Sequence, residues 1–131
     1  MRLSMLFAAT VLLLAAGPAL AARWEAAGLS SRGNQVFIDA SKMKAATGDV
    51  RAVAYRVLFT TPVDLDGRSI ASLRVDARFD CRSGMVTTDK ITLFTDAEGT
   101  RTLAQRRERV PLTVKEPVGS SGDVARQAVC R

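Results

Sequence analysis

The chain has 131 residues, enough for one domain, and 19 Lys and Arg residues against 13 Asp and Glu give it a formal charge of +6. It contains no histidine, which removes the usual general base, the commonest metal ligand and the usual charge switch near neutral pH. A Ser-His-Asp arrangement is therefore impossible.

Residues 1–21 read as a secretory signal peptide. Arg2 opens it, an almost unbroken apolar run follows from Leu3 to Leu14, and Gly17 and Pro18 break that run. Ala19-Leu20-Ala21 then supplies the small residues that signal peptidase needs. Cleavage is placed after Ala21, with Ala22 as the alternative, leaving a domain of residues 22–131. The apolar run is shorter than the ~20 residues of a spanning helix, and no later stretch is long enough, so no stable membrane insertion is expected after cleavage. No cysteine precedes the cleavage site. A lipid anchor would need that thiol, so the expected product is periplasmic or secreted and not a lipoprotein.

A domain of roughly 110 residues buries about two-thirds of its unfolded surface and gains from a staple. Its two cysteines are Cys81 and Cys130. An oxidising export route favours their pairing as a disulfide. Closing a loop of roughly 50 residues is worth about 4 kcal/mol in the chain-entropy model.

The remaining sequence alternates strands and turns. Arg23 to Ala27 is a first short strand with the only tryptophan, Trp24, expected in the core together with Tyr55. Ser30 to Asn34 forms a turn and Gln35 to Ile38 a second strand. Asp39 stands at the N-cap of a helical turn or two running to Ala46. Val50 to Thr60 is a long strand with Val53, Tyr55, Val57 and Phe59 on one face. Pro62 to Gly67 reads as a loop.

Ser69 to Cys81 has the cleanest period of two. Leu73, Val75, Ala77, Phe79 and Cys81 face one way, and Arg74, Asp76, Arg78 and Asp80 the other. Such a strand belongs in an antiparallel sheet with one wet side. Cys81 lies on the apolar face, so its partner must come from whatever covers that face. Met85 to Thr95 is the next strand, with a bulge near Asp89 and Lys90. Thr100 to Val110 is a charged strand, and Pro111 and Pro117 bracket an extended stretch unsuited to a central position. Ser120 or Ser121 caps a helix from Asp123 to Cys130, with Val124 and Ala128 on one face. The expected fold is α+β, mostly β: an antiparallel sheet of about six strands with a C-terminal helix on its apolar face and one disulfide.

Taken in order, these features resemble the surface-adhesin protein E family of exported bacterial proteins. The residues that carry the likeness are Trp24, Val36-Phe37-Ile38-Asp39, Ser41-Lys42-Met43, Phe79-Asp80-Cys81, Thr95-Asp96-Ala97-Glu98-Gly99, Pro117 to Gly122 and Ala128-Val129-Cys130-Arg131. The resemblance implies a small antiparallel sheet with a C-terminal helix. It also implies a disulfide from the cysteine after the fourth strand to the one at the chain end. In function it implies adhesion to host matrix proteins.

Arg101, Arg106, Arg107 and Arg109 form the strongest candidate site. Arginine pairs bidentately with sulfate, phosphate and carboxylate, so the segment suits an anionic glycan or an acidic protein segment. A charged edge strand kept soluble is the competing reading. The charges at Arg74, Asp76, Arg78 and Asp80 are expected to pair across strands on a solvated face. Asp64 and Asp66 offer too few oxygens for calcium and read as a turn. Ser41 and Lys42 are adjacent and point apart. No metal, cofactor or catalytic group is expected.

Two functions fit: an exported, non-enzymatic binding module for an extracellular matrix protein or anionic glycan, and a structural periplasmic protein or envelope-assembly subunit. Export makes nucleic acid an unsuitable partner, and nothing in the sequence sets an oligomeric state.

Overall fold

The computed structural model describes residues 22–43 and 48–131. The signal-peptide segment, residues 1–21, and the end of the expected helical turn near Ala46 lie outside the described residues. Six antiparallel strands lie side by side in chain order: β1 (Trp24–Leu29), β2 (Gln35–Asp39), β3 (Val50–Leu65), β4 (Arg68–Asp80), β5 (Met85–Phe94) and β6 (Thr102–Val114). A 3-10 turn (Ala40–Lys42) follows β2, and α1 (Ser121–Val129) follows β6.

The period of two in β3 and β4 sets the register. Val53 lies opposite Ala77, Tyr55 opposite Val75 and Val57 opposite Leu73. These pairs put their side chains on one face, where β2 adds Val36 and Ile38 and α1 covers them with Ala125 and Val129. Val36, Phe79, Ala125 and Val129 are fully buried, and each large apolar side chain hidden there is worth about 1.5–3 kcal/mol. The helix seats on Ala125 and Val129, with Val124 and Ala128 flanking them at partial burial. The face expected from Val124 and Ala128 is thus rotated by one residue.

Ser120 caps α1 by accepting the Asp123 backbone N–H. Asp123, itself buried, accepts from the Gly119 backbone, Arg126 and Gln127. The disulfide Cys81–Cys130 joins the end of β4 to the residue after α1, with Cα atoms 5.3 Å apart.

Two further expectations are corrected. Pro62 to Gly67 is not a loop: β3 continues to Leu65 and pairs Val63 with Ile70 and Leu65 with Arg68. The two residues between, Asp66 at φ 52° and Gly67 at φ 79°, make the type I′ turn that matches strand twist. Trp24 is not a core residue; it lies half-exposed on the face away from the helix. The bulge is real: Asp76 pairs with Lys90 and Ala77 with Thr88, leaving Asp89 as the extra residue.

Candidate binding face

The alternation that buries one face presents Phe37, Ala54, Arg56, Leu58, Ser72, Arg74, Asp76 and Arg78 on the other. Part of this second face is covered by the β5–β6 loop. Ser72 donates its hydroxyl to the Asp96 carbonyl at 2.6 Å and is fully buried. Arg56 Nη2 donates to the Ala97 carbonyl at 2.6 Å. The Asp96 carboxylate shapes the loop by accepting from the Thr100 hydroxyl and the backbone N–H groups of Thr100 and Arg101. Those bonds, the Thr100 hydroxyl first, hold its pKa down at about 2. Gly99 lies against Arg56, and a Cβ there would stand 2.9 Å from Nη2.

The rest of the face is a charged groove. Arg74 pairs with Asp76 on its own strand at 3.1 Å, and Lys90 approaches Asp76 from β5 at 3.7 Å. Arg78 makes two bonds to Asp89, at 3.0 and 2.9 Å, across the β4–β5 boundary. This holds the Asp89 carboxyl below its ordinary range. A depression of about 160 Å³ lies among Asp39, Lys42, Ala54, Arg74, Asp76 and Asp89. A second depression shares Asp76 and Asp89 and reaches Lys90, Arg107, Glu108 and Arg109. The two make one groove from the 3-10 turn to β6.

The four arginines singled out in the sequence do not form one patch. Arg107 pairs with Lys90 and, with Arg109, lines the groove. Arg106 pairs with Ile91, whose side chain packs on the core, and so lies on the opposite face, bonded to Glu108 at 3.2 Å. Arg101 lies in the loop, where its carbonyl accepts from the Thr95 backbone.

Asp39 is buried and accepts from the Ser41 hydroxyl and the backbone of Ser41 and Arg23. Burial raises its pKa, but these bonds outweigh it and the net shift is downward. Ser41 is therefore committed to Asp39 rather than Lys42. Asp64 lies on the β3–β4 ribbon opposite Ser69, and Asp66 at its tip. Among the described residues, no group of three or more His, Cys, Asp or Glu is placed to hold a metal ion, and no helix is long and apolar enough to cross a membrane.

One cluster was not singled out as a site in the sequence. Trp24 reaches from β1 across β2, and its ring lies 5.5 Å from the guanidinium carbons of both Arg56 on β3 and Arg74 on β4. Its only sequence signal is the single tryptophan near the start of an exposed strand.

The family model described as surface-adhesin protein E matches residues 24–131, from this tryptophan to the final arginine. The chain belongs to the surface-adhesin protein E family. Solved structures of Haemophilus influenzae protein E share the fold of this family member. The selenomethionine form aligns with TM-score 0.55 at 13% identity, covering 87% of this chain and 92% of that one. Another protein E structure gives TM-score 0.52 at 14% identity, covering 87% and 89%, and crystal form II gives 0.53 at 13%, covering 72% and 79%. No curated protein matches in sequence. Family membership makes the chain an adhesin-like surface protein. The surface-adhesin protein E fold here carries its helix on one face and leaves the charged groove open on the other.

Proposed function

We propose that this chain is an exported, non-enzymatic binding module that holds an anionic glycan, or an acidic segment of an extracellular matrix protein, along the groove opposite α1. In this reading residues 1–21 are a cleaved signal and residues 22–131 are the binding domain, released without a lipid anchor. The observation that carries it is the cross-strand pairing of Lys90 with Arg107, with Arg109 lining the same groove. Guanidinium forks there suit sulfate or carboxylate bidentately.

Heparin chromatography of the mature protein tests it. Retention is expected to be salt-sensitive, and Arg107→Ala with Arg109→Ala should elute at clearly lower salt. Arg106→Ala, on the other face, should elute close to the parent. Elution unchanged by the double substitution would remove the groove as the anion site. Protease access on intact cells tests the surface role, and a wholly periplasmic pool would favour a structural envelope protein instead. The intact mass of the mature protein, unmodified and beginning at Ala22, is the expected mark of the proposed processing.

A further inference from the structure

We infer that Arg56, Arg74 and Trp24 form a distinct subsite, bordering the groove at Arg74, that takes a single oxyanion group, a sulfate or carboxylate, carried by a sugar unit of an acidic glycan. It rests on the anionic-ligand reading above and adds a defined subsite about which that reading is silent. Arg56 and Arg74 are direct cross-strand partners on β3 and β4, an arrangement in which like charges repel. The sequence nonetheless keeps both, and both guanidiniums lie 5.5 Å from one indole ring, whose face attracts cations.

Their donors are incompletely used. Arg74 spends Nε and Nη2 on Asp76, which leaves Nη1. Among the described residues Arg56 makes no ion pair; its one hydrogen bond is to the Ala97 carbonyl, and its buried Nε has no acceptor. Asp96 does not neutralise it by contact, because its carboxylate is bonded to Thr100 and Arg101. An oxyanion accepting from Arg74 Nη1 and from the outer Nη1 edge of Arg56, the groups that their hydrogen-bonded neighbours leave unused, would relieve the repulsion. Trp24 is partly exposed beside them, and its indole gives the attached sugar ring an apolar surface to lie against.

Trp24 is the only tryptophan, so its emission reads this site alone. The mature protein is titrated at constant ionic strength with a sulfated disaccharide, a uronic-acid disaccharide and their uncharged counterpart. A saturable change is expected with one or both acidic sugars and not with the neutral one; which acid responds identifies the group. Arg74→Gln should weaken the response at least tenfold, and Arg74→Lys, which keeps charge but loses the fork, should weaken it several-fold. No saturable response to either acid, an equal response to the neutral sugar, or unchanged affinity in Arg74→Gln would overturn the inference. The single indole N–H resonance of the unmodified protein gives the same answer without any substitution. Arg107→Ala with Arg109→Ala should leave the Trp24 response within about twofold. If heparin retention depends on Arg107 and Arg109 while Trp24 stays silent, the groove reading stands and this site falls. The reverse pattern keeps this site and removes the groove.

Discussion

Arg51 Nη1 donates to the backbone carbonyl of Val129 at 2.7 Å, joining the start of β3 to the last turn of α1 across 78 positions of sequence. A cation at that end satisfies a carbonyl that the helix itself leaves open and complements the negative end of its dipole. Arg51→Met should keep most of the packing and remove the bond. Partly buried hydrogen bonds to charged groups are worth about 1.5–3 kcal/mol, and urea unfolding should show a loss of that size. A loss below about 0.5 kcal/mol would mean the helix end is held by packing alone.

The disulfide acts beside that bond. Cys81 and Cys130 are 49 positions apart, and a loop of this length gives about 4 kcal/mol in the chain-entropy model. Cys81→Ala with Cys130→Ala should lower stability by several kcal/mol. Mass spectrometry of the unreduced protein should show two hydrogens fewer than the dithiol.

Acid should weaken the fold in a definite window. Asp96 titrates at about 2 in the native state, against about 3.9 for an unfolded aspartate. Asp123 is depressed as well, first by the Gly119 N–H and then by Arg126. Between those values the unfolded state binds more protons, so stability rises with pH there. The contribution is fully present above about pH 4 and is lost as the pH falls toward 2. Urea midpoints measured across this range should fall steeply, and less steeply in Asp96→Asn and in Asp123→Asn.

Gly99 sits at φ 74° with Arg56 against it. Gly99→Ala adds a left-handed penalty of about 1–2 kcal/mol and displaces the guanidinium. The urea midpoint should fall, and Trp24 emission should shift because one of its two cationic neighbours moves. Unchanged emission would show that Arg56 is not held by the loop.

The sheet was legible where one face is wholly apolar. In β4 the alternation fixed both faces and put Cys81 on the buried side, from which its pairing with a covering helix followed. Pro62 hides the ribbon beyond Leu58 from a reading of the sequence. β2 no longer pairs with β3 past the Gln35–Leu58 partnership, so a missing N–H costs no ladder bond there. Asp66-Gly67 was the stronger signal. The position of Trp24 is not legible, because β1 is short and shifts register between Ala26 and Gly28, so its faces cannot be counted from sequence. The arginine run of β6 looks like one patch in the sequence, but adjacent strand residues point apart, which separates Arg106 from Arg107. The Arg56–Trp24–Arg74 cluster depends on three strands brought side by side and has no local pattern.

Strand order equals chain order throughout the sheet, so each strand pairs with the one just made, and α1 is the element that must return over distance, to β1, β2 and β3. The Cys81–Cys130 link shortens the range of that return. The chain after β6 already makes redocking of α1 a first-order event, and the bridge pins the far end of the helix beside the end of β4, so a helix that lifts from the sheet strays less far and meets its docking surface at a higher effective concentration. The fold can thus open transiently at its most distant contact without losing the piece that closes it.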